Sequence, residues 1–246
     1  MTRWKLTVEY DGGGFVGWQR QDNGASVQQA LEEAAAKFCG EHAKIWGAGR
    51  TDAGVHALGQ VAHIDIKKKA TAREVRDAIN HHLKPLPIAV LSAEEADKDF
   101  NARTSARERL YRYRIVNRRA PLAVDLGHAW HVPYALDEAA MHDAAQALVG
   151  RHDFTSFRAS ECQAKSPVKN LDELSVARDG DLIAVTARAR SFLHHQVRNM
   201  VGSLALVGRG KWQRADIERA LAAKDRAKGG PTAPPEGLYL VSVGYG

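Results

Sequence analysis

Residues 47–57 read GAGRTDAGVHA, with Gly47, Gly49 and Gly54 bracketing Arg50, Thr51 and Asp52. Glycines at this density mark a turn where something approaches the backbone closely. A Walker-type phosphate loop needs GxxxxGK followed by Ser or Thr, and no such run occurs. A dinucleotide fingerprint needs GxGxxG between a strand and a helix. Here the spacing is GxGxxxxG, and the residues that follow, Gln60–Ile66, alternate as a strand with Ala62, Ile64 and Ile66 on one face. An acidic residue at the centre would also repel a phosphate. The stretch is therefore a loop leading into a strand, with a carboxylate and a cation two residues apart. A lone Asp in such a loop is ordinarily a turn former, because its side chain bonds nearby amides. The company of Arg50 is what makes Asp52 a candidate for chemistry.

The rest of the architecture follows outward from that loop. Residues 3–10 alternate, with Trp4, Leu6, Val8 and Tyr10 on one face, and DGGG (11–14) ends the strand. Ser26 and Gln29 form a capping-box start for a helix running to Gly40, and a short strand is expected near Lys44–Trp46. Thr71 and Glu74 start a second helix, which must stop before Pro85, and Ile88–Ala93 is a further strand. Beyond it come a long strand (Glu108–Val116), a helix (Leu136–Val149) and two strands (Leu171–Arg178, Leu182–Arg190) around the tight-turn pair Asp179-Gly180. Two helices (His195–Val207, Arg214–Lys224), a Gly/Pro loop (228–237) and a closing strand (Leu238–Val243) complete the chain. This pattern predicts an α+β protein of two similar subdomains, 1–104 and 105–246, each an antiparallel sheet with helices on one face, with a cleft at their junction.

Composition narrows the function. Of 246 residues 44% are apolar and 26% charged, ordinary for a soluble protein, and no apolar run approaches a membrane span. The N-terminus reads as a strand at once, so no leader peptide is expected. Two cysteines, Cys39 and Cys162, make neither a disulfide framework nor a metal pair. A cytoplasmic protein without a metal is the simplest expectation. The net charge is +6, and residues 103–119 (RTSARERLYRYRIVNRR) hold seven Arg against one Glu, interleaved with Tyr111 and Tyr113. Such a basic, aromatic stretch suggests a nucleic-acid partner.

An enzyme acting on an RNA base must take the base out of its stack. A planar guanidinium such as Arg50 suits the vacated position, a tyrosine can stack on the extruded base, and Asp52 is placed to act at the sugar. Two other classes fit fewer features. A pure RNA-binding module has no need of the RTDAG loop, and a small-molecule nucleoside hydrolase has no use for the basic strand.

The stretch GAGRTDAGVHALGQVAHI (47–64) resembles the signature of the tRNA pseudouridine synthase A (TruA) family. VEYDGGGFVGWQRQ (8–21), FNARTSARERLYRYRI (100–115), HDFTSFRASECQAKSP (152–167), FLHHQVRNMVGSLALVGRG (192–210) and EGLYLVSV (236–243) match it in order. The resemblance spans essentially the whole chain. It implies isomerisation of uridine to pseudouridine at positions 38, 39 and 40 of the tRNA anticodon stem-loop, without cofactor or metal, by a homodimer. By the same resemblance Asp52 is the catalytic aspartate and Arg50 the base-flipping arginine. Tyr111 stacks on the target uracil, and Arg198 pairs with the catalytic carboxylate. Phe100, Asn101, Ala102, Arg103 and Thr104, with Ser156, Phe157 and Arg158, are tRNA-contacting. The glycines of the opening loop then read as room for the flipped nucleotide. Asp52 acts either as a nucleophile at C1′ or as the base that removes the 2′ proton; the residues leave both open. One departure stands out: the family often carries His where this chain has Asn101, which hydrogen-bonds but does not titrate.

Overall fold

The computed structural model describes all of residues 1–246. In chain order its elements are β1 (Thr2–Tyr10), α1 (Val27–Cys39), β2 (Trp46–Gly47), β3 (His56–Ile66), α2 (Ala72–Leu83), β4 (Ile88–Ala96), β5 (Glu108–Asn117), β6 (Trp130–Val132), α3 (Glu138–Gln146), β7 (Gly150–Asp153), β8 (Val168–Asp179), β9 (Leu182–Ala189), α4 (Gln196–Gly208), α5 (Arg214–Ala223) and β10 (Leu238–Gly244). The chain divides into two compact units, one of Met1–Arg107 with Tyr239–Gly246, the other of Glu108–Leu238. A cut at 104/105 leaves the last strand with the second subdomain. The structure returns residues 239–246 to the first, because β10 pairs in parallel with β3 through Tyr239 opposite His56 and Leu240 opposite Ala57.

In the first unit the strand order is β4-β1-β3-β10, with β2 on β3. β1 runs antiparallel to both β3 and β4, and Trp4, Leu6 and Val8 face the same side as Ile64, Ala62 and Val90. Trp4, Leu6 and Ile64 are almost wholly buried, as are Leu31 of α1 and Ile79 of α2. Each side chain so buried contributes about 1.5–3 kcal/mol. Both helices are capped where expected, but only the second closes the full box, since the Gln29 side chain donates to Glu33 instead. The Ser26 side chain accepts from Gln29 N, and Thr71 and Glu74 close a reciprocal capping box. The opposite sheet face is polar on β1 (Arg3, Lys5, Thr7), but it is not bare. Phe100, Ala102, Val243 and Tyr245 pack there against Ala48 and Val61, and Arg3 Nη1 donates to the Phe100 carbonyl at 2.8 Å.

The second unit orders its strands β5-β9-β8-β7, with the short β6 parallel to β5. The Asp179-Gly180 turn joins β8 and β9 as expected, with Gly180 at φ +56°. All three helices of this unit differ from their expected bounds, for local reasons. α3 begins after Asp137, whose side chain accepts from Ala140 N, and past Gln146 the chain tightens into three-residue bonds such as Leu148 N to the Ala145 carbonyl. His195 sits at φ +61°, so α4 starts at Gln196. Lys224 is left-handed and ends α5 one residue early. β6 and β7, of three and four residues, carry too little pattern to be seen in the sequence.

Candidate active site

The loop between β2 and β3 carries Arg50, which is exposed, and Asp52, which is half-buried. Its backbone is held on both sides of Arg50. Before it, the buried Gln60 of β3 donates Nε2 to the Gly49 carbonyl at 2.8 Å. After it, the Thr51 carbonyl accepts from Trp18 N at 3.0 Å, and the Thr51 hydroxyl lies 2.8 Å from the Tyr10 hydroxyl in a buried pair. Val55 N then donates back to the Asp52 carbonyl at 3.2 Å, closing the turn, with Gly54 at φ +75°. The two ionic side chains are thus carried on a fixed strip of backbone. Preorganisation of this kind matters, since a misplaced catalytic group loses rate steeply.

Gly47 has a different use from the one the sequence suggested, and two glycines outside the loop share it. A Cβ at Gly47 would lie 2.5 Å from the Trp18 ring. A Cβ at Gly17 would lie 2.7 Å from the Thr51 carbonyl oxygen, and one at Gly12 2.0 Å from that of Val55. The space at these positions is filled by protein: the DGGGFVGW stretch (11–18) docks against the Asp52 loop. Trp18 is the wedge. It is buried, its ring centroid is 6.0 Å from that of Tyr10, and its carbonyl accepts from Gln28 N of α1. Below the loop, His56 stacks on Tyr239 at 4.7 Å, and its Nδ1 accepts from Gly12 N at 3.1 Å. Sequence reasoning missed Tyr10, Trp18 and Gln60 as supports. Their signal was their place inside matched segments, whose partner across the fold no spacing rule reveals.

In the second unit Tyr111 and Tyr113 share the buried face of β5. Tyr113 is sealed in, its hydroxyl donating to the Pro234 carbonyl at 2.7 Å, and burial pushes its pKa far above the ordinary phenol value. Tyr111 keeps 8% of its surface and meets the Phe192 ring edge-on at 5.2 Å. Arg198 lies on the otherwise apolar α4, half-buried rather than reaching out to solvent. Its Nε donates to the Ala233 carbonyl at 2.8 Å while its own carbonyl accepts from Ala233 N. The Arg-rich strand is less of an open cationic face than its composition suggests. Arg114 pairs with Asp125 at 2.9 Å, Arg118 with Asp181 at 3.5 Å, and the buried Arg109 donates to the Arg190 carbonyl. Arg112 and Arg119 of this unit stay exposed.

The two stretches expected to touch tRNA divide sharply by burial. In residues 100–104, Ala102 is buried and Phe100 packs against Tyr245, while Arg103 and Thr104 are exposed. Asn101 Oδ1 accepts from both Arg103 N and Thr104 N at 3.0 Å, so Asn here builds the turn that presents them. His63 Nδ1 accepts from Ala102 N at 3.1 Å; burial lowers the pKa of this imidazole, which favours the neutral ring that can accept. In the second unit Ser156 and Phe157 are fully buried: Ser156 Oγ accepts from Asp225 N, and the Phe157 carbonyl accepts from Asn199. Arg158 alone of that trio has partial exposure.

Comparison with known proteins bears directly on this geometry. A family model described as "tRNA pseudouridine synthase" matches residues 6–104 and 144–246. Proteins named tRNA pseudouridine synthase A from Parvibaculum lavamentivorans, Rhodospirillum centenum and Afipia carboxidovorans are each 62% identical over 245 residues, covering all of this chain and all of theirs. The matched segments include both the Asp52 loop and the Trp18 stretch that braces it. The chain belongs to the tRNA pseudouridine synthase A family and is a tRNA uridine isomerase.

Proposed function

We propose that the chain forms pseudouridine at positions 38, 39 and 40 of the tRNA anticodon stem-loop, flipping each uridine out of its stack. The observation that carries this reading is the clamped loop: an exposed Arg50 and a half-buried Asp52 project from backbone fixed by Gln60, Trp18 and Tyr10. Arg50 takes the place the base vacates, since its planar cation stacks where a base had stood. Asp52, ionised, acts at the ribose, as the nucleophile at C1′ or as the base for the 2′ proton, so that the C1′–N1 bond breaks. The freed uracil turns within the site and rejoins through C5, with the C5 proton leaving to solvent. No water adds, so one carboxylate suffices where a glycosidase needs two. Tyr111 is the uracil-stacking residue and Arg198 a substrate-binding cation. Arg103, Thr104 and Arg158 have the exposure to contact tRNA phosphates, which position the RNA without reading its sequence. The remaining residues of those two stretches act through their backbone or as support.

The test is tritium release from tRNA carrying [5-³H]uracil. Wild-type protein should release label stoichiometrically with pseudouridine, and Asp52→Asn should bind the same tRNA and release none. Full activity of Asp52→Asn would remove Asp52 from the chemistry. Label release from uridines outside positions 38–40 only would overturn the site assignment. The functional unit we propose is a homodimer in the cytoplasm; a monomer by gel filtration at assay concentration would contradict the first part.

A further inference from the structure

β2 is two residues long, and its register fixes which way each faces. Gly47 turns toward the buried Trp18 ring. Trp46 turns the other way, paired opposite His63, whose ring packs edge-on to Phe100 at 6.2 Å and whose Nδ1 accepts from Ala102 N. The indole therefore lies on the same sheet face as the 100–104 turn that presents Arg103 and Thr104. Trp46 is 51% exposed, whereas Trp4 and Trp18 are 1% and 2% exposed. Lys44 Nζ stands 4.3 Å from its ring centroid.

A single exposed apolar side chain is normal on any protein surface. Here the exposed ring is the largest side chain available, it carries an ammonium group against it, and it sits four residues before Arg50. Two acids on this face are paired: Asp65 with Arg3 at 2.7 Å and Glu94 with Lys5 at 2.8 Å. An aromatic ring among cations suits a polyanion whose units have flat faces. We propose that Trp46, flanked by Lys44, is a stacking site for an unpaired base of the bound RNA strand, outside the loop that performs the isomerisation. Single-stranded nucleotides stack on exposed aromatic rings with little regard to sequence, and the neighbouring ammonium meets the phosphate. This rests on the proposed function only in taking tRNA as the ligand.

The experiment compares Trp46→Ala, Trp46→Phe and Lys44→Ala in the full chain, measuring filter binding of a tRNA transcript across a salt series, turnover at saturating tRNA, and sedimentation. Trp46→Ala should weaken binding about tenfold or more, while Trp46→Phe keeps most of the affinity. Lys44→Ala should reduce the slope of log affinity against log salt by about one. Turnover at saturation should stay within about twofold of wild type in all three. Trp46→Ala binding tRNA within about twofold of wild type would overturn the proposal. So would a loss of binding that tracks a change from oligomer to monomer, which would make this face a contact between copies. If the wild-type protein binds tRNA but forms no pseudouridine, the proposed function falls while the binding comparison still decides Trp46.

Discussion

Gly17→Ala is the sharpest test of the idea that the DGGGFVGW stretch holds the Asp52 loop in place. Gly17 sits at φ +112°, a conformation L side chains rarely adopt. Holding alanine there costs about 1–3 kcal/mol. The new methyl would also lie 2.7 Å from the Thr51 carbonyl oxygen and 3.1 Å from the Asp52 carbonyl carbon, against 3.4 Å at the near edge of ordinary contact. The loop must therefore retreat by the difference between 3.4 and 2.7 Å, about 0.7 Å. That movement also strains the adjoining hydrogen bond from Trp18 N to the Thr51 carbonyl. For a chain of this length each kcal/mol lowers Tm by about 2–4 °C, so a fall of roughly 2–12 °C is expected. A displacement approaching 1 Å at a catalytic group costs up to about a hundredfold in rate, so with Asp52 in its proposed role kcat for pseudouridine formation should fall roughly ten- to a hundredfold. Thermal unfolding and tritium release on the same preparation read both quantities. Gly14→Ala is the control: nothing lies within 4 Å of its added methyl, and both readings should stay near wild type. A Gly17→Ala protein with kcat within about twofold of wild type would refute the claim that this stretch sets the position of Asp52.

Other supports give smaller, separable effects. Tyr10→Phe removes one member of the buried hydroxyl pair with Thr51 and should destabilise by about 1 kcal/mol in urea unfolding. Gln60→Leu frees the Gly49 carbonyl on the other side of Arg50; it should lower kcat in the wild type but much less in an Arg50→Ala background, because coupled sites are non-additive. Asn101→Ala removes the acceptor for Arg103 N and Thr104 N and should weaken tRNA binding, whereas Asn101→Asp keeps an acceptor and should preserve the turn. The hydrogen bond from Arg3 holds the Asp65 carboxyl below its ordinary pKa. The unfolded chain binds that proton more readily, so the stabilisation is complete above about pH 4 and drains away as pH falls through the lower folded value. Arg3→Ala should flatten the acid limb of the stability curve.

What was legible in the sequence was whatever depends on near neighbours. The alternation of Trp4, Leu6, Val8 and Tyr10, the Ser26 and Thr71 caps and the Asp179-Gly180 turn all act within a few residues, and each element lies where they put it. The loop between β2 and β3 was legible too, and its resemblance to a known family implied the chemistry. What was hidden acts across long separations. Nothing near Gly47 indicates that Trp18 fills its missing side chain, and nothing near Thr51 indicates the Tyr10 hydroxyl. Seven arginines in one stretch read as a single cationic surface, yet the fold turns Arg109 inward and pairs Arg114 and Arg118 with acids distant in sequence. Residue type gave the charge, and only the strand's facing decides what that charge meets.

The return of β10 to the first unit has a consequence for how the enzyme is made. His56, at the exit of the Asp52 loop, finds its strand partner and its stacking ring in Tyr239. On the ribosome the loop, its Trp18 wedge and its Gln60 brace are all synthesised before residue 108, but the strand that flanks β3 emerges only after the entire second unit has been translated. Until then the sheet beneath Asp52 has an open edge. A nascent chain that stops short of β10 carries Arg50 and Asp52 without the strand that backs them.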